Sequence, residues 1–500
     1  MVDEPNRNPD PAGSWKNDRL RWSILDPAGE KRDSVFSTVY VSDELLIDPS
    51  ATGDNEDPFG DLQDLARLAG WTLDRRAPGD ESDGEERFTG ASETFRVYLG
   101  VAPSSDQRTT AAVAETPDAW QLLRQARANG KGAGVSLNHV ITTDSFESNP
   151  FKMNPFKMNP FKMNPFKMNG TTVGMDTYAS PGFGGRQPVA YLGETPRRSG
   201  DAKRRPVVAI FDTGCGRHPW FTPDVMIDPV LKGGEPIGLA NPLTDPERHP
   251  SLGRPLEGWL DDAAGHGTFI AGIVRQESPD AWILPVRIAD GEGVILEYEL
   301  LGALGRLLTL METPEAQGGR HVDVLNLSFS FFSETPQDPS TASELSTLLT
   351  KIRARGCVVV CSAGNDATDR PVSPATLGGG DPAHIVVGAL NPSRRSVALF
   401  SNIGPWVTTW AQGVSIVSTQ PTVFDGSIQA GTRDDLYGRR RETLDVDEFA
   451  GGFAVWSGTS FAAPVVAGRI AAQLAAGLDP ADAVAQVLQQ GESEDASRDL

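Results

Sequence analysis

Cysteine is scarce in this 500-residue chain, which has only Cys215, Cys357 and Cys361. So few exclude a secreted scaffold stapled by disulfides. Cys357 and Cys361 lie four apart on one apolar run, so on a strand their α-carbons stand roughly 13 Å apart at about 3.3 Å per residue, beyond a disulfide's reach. Cys215 reads either as a small buried residue or as a point of sensitivity to thiol reagents. No cluster of His and Cys has zinc spacing. No run approaches the roughly 18 apolar residues that a membrane helix needs. The start, Met1-Val2-Asp3-Glu4-Pro5-Asn6, shows no basic run before an apolar core, so a cytoplasmic location is the expectation. Positive charge is also in the minority: 45 Lys and Arg face 67 Asp and Glu, for a net charge of −22. That balance repels nucleic acid and anionic membrane, and neither is expected as a partner. Much of the acidic excess falls in residues 48–86 and 492–500, which read as solvated.

Three short segments carry chemistry. Val207-Val208-Ala209-Ile210-Phe211 reads as a strand buried on both faces, and Asp212-Thr213-Gly214 follows it. A carboxylate there stands at the rim of a parallel sheet, where α/β proteins gather their functional groups. Gly265-His266-Gly267-Thr268 leads into Phe269, Ile270 and Ile273 at helical spacing, which puts His266 on a helix's first turn. Gly458-Thr459-Ser460-Phe461-Ala462-Ala463-Pro464 opens a run of small residues suited to close helix packing, with Pro464 expected in the first turn. A serine hydroxyl needs a base within hydrogen-bond reach and a third group to orient that base.

In the order Asp, His, Ser, with these flanking glycines, the segments resemble the signature of the subtilisin-like serine peptidases, over roughly residues 200–485. The resemblance implies a serine endopeptidase in which Ser460 attacks, His266 carries the proton and Asp212 orients the imidazole. It implies further that Asn365, in Ser362-Ala363-Gly364-Asn365, helps to hold the oxyanion, with Ala363 and Gly364 beside the substrate. Ser328-Phe329-Ser330 resembles the end of the strand along which substrate backbone pairs, although Ser330 stands where the family usually has glycine. No cofactor is implied. Calcium sites are frequent in the family, but no loop here matches one residue by residue. The residues themselves also leave open a non-catalytic binding module on a peptidase fold.

Strands alternating with helices at Leu296–Met311 and after Thr341-Ala342-Ser343-Glu344, a capping-box spacing, predict an α/β fold with a doubly wound parallel sheet over residues 201–488. An insertion is expected at 419–453, and an acidic disordered tail at 489–500. Residues 1–29 are expected to be disordered. Residues 30–142 read as a smaller α+β domain in the order β-α-β-β-α-β, which is ferredoxin-like. Its strands are expected at 37–41 with 45–47, 71–73, 95–99 and 134–141, and its helices at 61–69 and 118–126. Subtilases often carry a prodomain of that topology, so the domain reads as a prodomain-like inhibitor or as a partner-binding domain. Residues 143–200 are expected to be a linker. It contains the pentapeptide Asn149-Pro150-Phe151-Lys152-Met153, repeated to Met168. A period of five fits neither helix nor strand. The repeats read as a spacer, as a docking ligand for an acidic partner, or as a cassette cut by the attached peptidase, a dedicated maturase.

Overall fold

A computed structural model of the chain describes residues 22–25, 35–51, 57–75, 94–102, 116–143, 178, 180, 182–253, 258–335, 343–426 and 430–494. The pentapeptide repeats lie outside them.

The N-terminal unit comprises β1 (Trp22–Leu25), β2 (Thr38–Ile47), α1 (Pro58–Leu68), β3 (Trp71–Asp74), β4 (Phe95–Val101), α2 (Ala119–Ala128) and β5 (Val135–Thr143). Its strands lie in the order β5-β2-β4-β3, each pair antiparallel, and β1 adds to β2. Both helices begin at an aspartate: Asp57 accepts from the Gly60 N–H at 3.0 Å and Asp118 from Gln121 at 2.9 Å, satisfying donors that the first turn leaves unpaired. Leu62 and Ala66 of α1 and Leu122, Leu123 and Ala126 of α2 share one core with Leu45, Ile47, Val97, Leu99 and Leu137. Residues 22–25 are a strand although disorder was expected for them. Residues 38–47 form one continuous strand, whose register against β5 shifts between Tyr40 and Leu45, an irregularity inside the strand.

Within the expected linker, Tyr178 and Gln187–Pro188 are fastened to the second unit. Tyr178 packs edge-on against Phe400, and β6 (Gln187–Pro188) pairs with Val455 and Ala454.

The second unit continues with β7 (Val207–Asp212), α3 (His266–Glu277), β8 (Trp282–Arg287), β9 (Val294–Leu296), α4 (Glu297–Glu312), β10 (Val324–Leu327), β11 (Phe329–Ser330) and α5 (Glu344–Ala354). After these come β12 (Val358–Ser362), β13 (His384–Leu390), β14 (Thr409–Gln412), β15 (Ile416–Thr419), β16 (Arg433–Leu436), β17 (Arg439–Glu442), β18 (Phe453–Trp456), α6 (Thr459–Ala475) and α7 (Pro480–Glu494). Six strands form a parallel sheet in the order β14-β13-β12-β10-β7-β8. Successive side chains of β7 alternate between two cores, Val208 and Ile210 with α3 and α6, and Val207, Ala209 and Phe211 with α4 and α5. A strand buried on both faces in this way reads as an unbroken apolar run. The chain leaves β7 for β8 on one side and then builds outwards from β10 on the other. The crevice at the C-terminal ends of β7 and β10 is therefore the switch point of the sheet.

Other expectations are corrected in detail. Residues 324–330 are not one strand: the chain breaks at Ser328, β10 stays in the parallel sheet, and β11 leaves it. Ser343 caps α5 by accepting from the Ser346 N–H at 3.2 Å; Thr341 and Ala342 lie outside the described residues. The last helix runs to Glu494, into the segment expected to be disordered. The expected insertion projects a hairpin, β16–β17, whose eight residues are all exposed, while Phe424 and Phe449 anchor its base in the core.

The two units share a sheet. Thr142 and Thr143 of β5 pair antiparallel with Ser330 and Phe329, and Val140, Ile141 and Thr142 pair with Leu296, Ile295 and Val294.

Candidate active site

The three sequence segments meet at the switch point. Asp212 is the last residue of β7, His266 the first of α3 and Ser460 the second of α6. His266 Nδ1 lies 2.8 and 2.9 Å from the two carboxylate oxygens of Asp212, and its Nε2 lies 2.9 Å from Ser460 Oγ. With the proton on Nδ1, the imidazole donates to Asp212 and accepts from the serine hydroxyl. All three side chains are fully buried. Trp456 and Phe461 pack their rings 5.6 and 5.1 Å from that of His266, which makes the surroundings of the pair apolar.

Two glycines permit this approach. Gly265 turns into α3 with a φ of 82°, a left-handed conformation that side chains disfavour. A Cβ on Gly267 would stand 2.1 Å from the Gly214 carbonyl oxygen, so the Asp212 and His266 segments can approach this closely only with glycine at 267. Pro464 is not in the first turn of α6 but is its sixth residue, inside the helix. Lacking an N–H, it leaves the Ser460 carbonyl without its helical donor. The Ser328 hydroxyl donates to that carbonyl at 2.9 Å.

Asn365 Oδ1 accepts from the Thr459 N–H at 3.0 Å and from its hydroxyl at 2.9 Å, which places the amide beside the turn that carries Ser460. Ala363 and Gly364 follow β12, and the Gly364 N–H donates to Thr459 Oγ1 at 3.2 Å. Ser330 Oγ comes within 3.2 Å of where a Cβ on Gly364 would stand, so the serine narrows the space between them. Phe329 is buried in the core and offers its backbone to β5. Thus Ser328 reaches Ser460, and the strand that pairs along Phe329 and Ser330 is this chain's own β5.

Sequence reasoning missed Glu247, which no exposed surface reaches appreciably (1 %). Its two carboxylate oxygens accept from the hydroxyls of Thr213 and Thr268, each at 2.6 Å. Burial, with smaller contributions from Asp245 and Asp212, raises its carboxyl to about 7 against the opposing effect of the two hydroxyls. Burial and Glu247 in turn hold the partly buried Cys215 thiol well above its ordinary value, which weakens the thiol-reagent reading, since the thiolate is the reactive form. None of the three cysteines is in a disulfide.

Where the units meet, His139 of β5 lies between Glu297 Oε2 at 2.5 Å and Glu334 Oε2 at 2.8 Å, and Arg127 reaches Glu334 Oε1 at 2.7 Å. Burial opposes the charge on His139, but Glu297 and Glu334 outweigh it and raise the imidazole to about 10. Burial likewise opposes the charge on Glu334, and His139 and Arg127 outweigh it, holding the carboxyl well below the usual range.

The profile of the Subtilase family matches residues 203–490, more than half of the chain. The chain belongs to the subtilase family. Among its relatives, subtilisin NAT of Bacillus subtilis subsp. natto is 27 % identical over 210 residues, which cover 42 % of this chain and 45 % of that protein. The thermophilic serine proteinase of Bacillus sp. (strain AK1) is 30 % identical over 263 residues, 48 % of this chain and 53 % of that one. Mycosin-4 of Mycobacterium tuberculosis is 23 % identical over 280 residues, 53 % of this chain and 54 % of that one. This subtilase thus spans about half the length of the relatives it matches. The crystal structure of a cold-adapted subtilisin-like serine proteinase is similar at 21 % identity with a TM-score of 0.37, covering 56 % of this chain and 80 % of that one. Among the described residues, no helix is long and apolar enough to cross a membrane.

Proposed function

We propose that this subtilase is a serine endopeptidase that cuts peptide bonds through Ser460, His266 and Asp212, and that its N-terminal unit regulates it by occupying the substrate cleft. The observation that carries the first part is the unbroken hydrogen-bonded chain from Asp212 through His266 to Ser460 Oγ, with distances of 2.8 to 2.9 Å. Ser460 Oγ attacks the substrate carbonyl carbon as its proton passes to His266 Nε2. Asp212, accepting from Nδ1–H, stabilises the imidazolium. The Ser460 N–H and the Asn365 side-chain amide donate to the oxyanion. His266 then protonates the departing amine, the acyl group stays on Ser460, and water releases it by the reverse steps.

The regulatory part is supported by β5. It lies as the middle strand between β9 and β11, and its direction carries its C-terminal end towards Ser328 and hence Ser460. Its backbone makes the bonds that an extended substrate would need, including that from the Thr143 N–H to the Gly293 carbonyl at 2.9 Å. The strand order β5-β2-β4-β3, with two helices packed on it, agrees with a ferredoxin-like, prodomain-like unit. The same placement favours a second reading, a maturase that cuts its own chain beyond Thr143. A cytoplasmic setting agrees with three cysteines that form no disulfide.

The test is hydrolysis of casein by the full chain and by Ser460→Ala. The proposal expects hydrolysis by the first and none by the second. Activity that survives the substitution sinks it, whereas no hydrolysis and no labelling of Ser460 by a fluorophosphonate would favour a binding module.

A further inference from the structure

Two threonines follow the reactive residues closely, Thr213 next to Asp212 and Thr268 two residues after His266, and both hydroxyls point to one buried carboxyl. Their protons can be counted. Thr213 Oγ1 accepts from the Gly267 N–H at 2.8 Å, so its single proton is left for Glu247 Oε1 at 2.6 Å or Asp212 Oδ1 at 3.2 Å. Thr268 Oγ1 accepts from the Gly216 N–H at 2.7 Å, and its proton goes to Glu247 Oε2 at 2.6 Å. The shorter contact directs the Thr213 proton to Glu247 while that carboxylate is charged. Asp212 Oδ1 then keeps two donors, the Thr213 N–H at 2.8 Å and His266 Nδ1–H at 2.8 Å.

We propose that Glu247 is a positioning residue of this site: ionised, it fastens the Asp212 loop to the His266 helix through the two threonines and favours the imidazolium that forms as Ser460 loses its proton. When Glu247 is protonated on Oε1, it donates to Thr213, whose own proton turns onto Asp212 Oδ1, where it competes with His266. The charge acts in the same direction, since a second anion near Asp212 stabilises a cation on the imidazole. The inference rests on the peptidase reading above.

The groups facing Glu247 are Asp245 on its own loop, Asp212 at the end of β7, and Cys215 just beyond it, with Thr268 of α3 between Glu247 and the His266 turn. Arg287 of β8 passes close by, its Cβ as near as the Glu247 Cγ to the position a Cβ on Gly214 would take, 3.6 Å. Its guanidinium is committed to the carbonyls of Leu239 and Asn241, at 3.0 and 2.8 Å. Among the described residues Glu247 therefore takes part in no ion pair, and its carboxyl, held at about 7, acquires its charge near neutral pH. A purely structural carboxyl would be as well served by a neutral hydrogen-bonding group.

The experiment is the rate at which a small fluorophosphonate labels Ser460 as a function of pH, on the full chain, for wild type, Glu247→Gln and Glu247→Asp. Glu247→Gln is expected to label about ten- to a hundredfold more slowly at its plateau, the range that partners orienting metal-bound ligands carry, with the acid limb moved to lower pH. Glu247→Asp is expected to return the limb towards its wild-type position. A Glu247→Gln profile that overlays the wild type overturns the proposal, and so does slower labelling with an unmoved limb, which marks loosening alone. Wild-type chain that is not labelled at Ser460 overturns the peptidase reading and this proposal with it. If Glu247→Gln does not fold, Thr268→Val removes one tie. It is expected to slow labelling at the alkaline plateau, where the carboxyl is ionised, and unslowed labelling there overturns the proposal.

Discussion

Pro464 shapes the surroundings of Ser460 by what it lacks. Without its N–H, the Ser460 carbonyl is open to Ser328, and that bond joins the start of α6 to the turn before β11. Asn365, held by Thr459, stands at the same turn. Replacing Asn365 with Ala is expected to lower kcat by about 10²–10³ with little change in KM, the cost of losing one oxyanion donor; steady-state kinetics on a peptide substrate check it. Glu247 gives a pH prediction whose sign follows from burial. Its carboxyl is raised to about 7, so the folded chain holds a proton that the unfolded chain has released. Its contribution to stability is therefore fully present below its ordinary value near 4.5 and is lost as pH rises from there to about 7. The thermal midpoint of wild type relative to Glu247→Gln should fall across that interval, and a constant difference would contradict the burial argument. Asp212, His266 and Ser460 were legible because each lies in a short glycine-flanked segment at the end of an apolar run. Glu247 was not, because Asp245-Pro246-Glu247-Arg248 reads as a polar turn and nothing local signals that a carboxyl will be buried between two hydroxyls.

β5 is the element that joins the two units. Periodicity ended it at Ile141, yet it continues to Thr143, and the two added residues are those that pair with β11. A strand whose last residues are satisfied by another unit carries no local mark of that pairing. The break of 324–330 at Ser328 was hidden for the same reason. Replacing Thr143 with Pro removes its bond to Gly293, so hydrolysis of a short peptide by the full chain should rise several-fold if β5 blocks the cleft. Unchanged hydrolysis would place the block elsewhere. His139 fastens the same strand. An imidazole raised to about 10 contributes stability that is fully present below its ordinary value near 6.5 and is lost as pH rises to about 10. The urea midpoint of the N-terminal unit in wild type should exceed that in His139→Gln by most below about pH 6.5, and the two should converge near pH 10. A difference that grows with pH would contradict the assignment.

At the scale of the whole molecule, the two units are joined through one sheet that runs from β3 to β11, and β6 pairs with β18, the strand before Ser460. The parallel sheet and its switch point could be read from the alternation of apolar strands and helices, because both periodicities are local. The docking of one unit on the other could not, because it depends on Glu297 and Glu334 meeting His139 across 158 and 195 residues of sequence. The most direct measurement is the intact mass of wild type beside Ser460→Ala, prepared and stored identically. The account predicts that wild type alone is cut beyond Thr143, with the N-terminal unit as one product. Identical, uncut masses in both, together with wild type that does not hydrolyse casein, would contradict it.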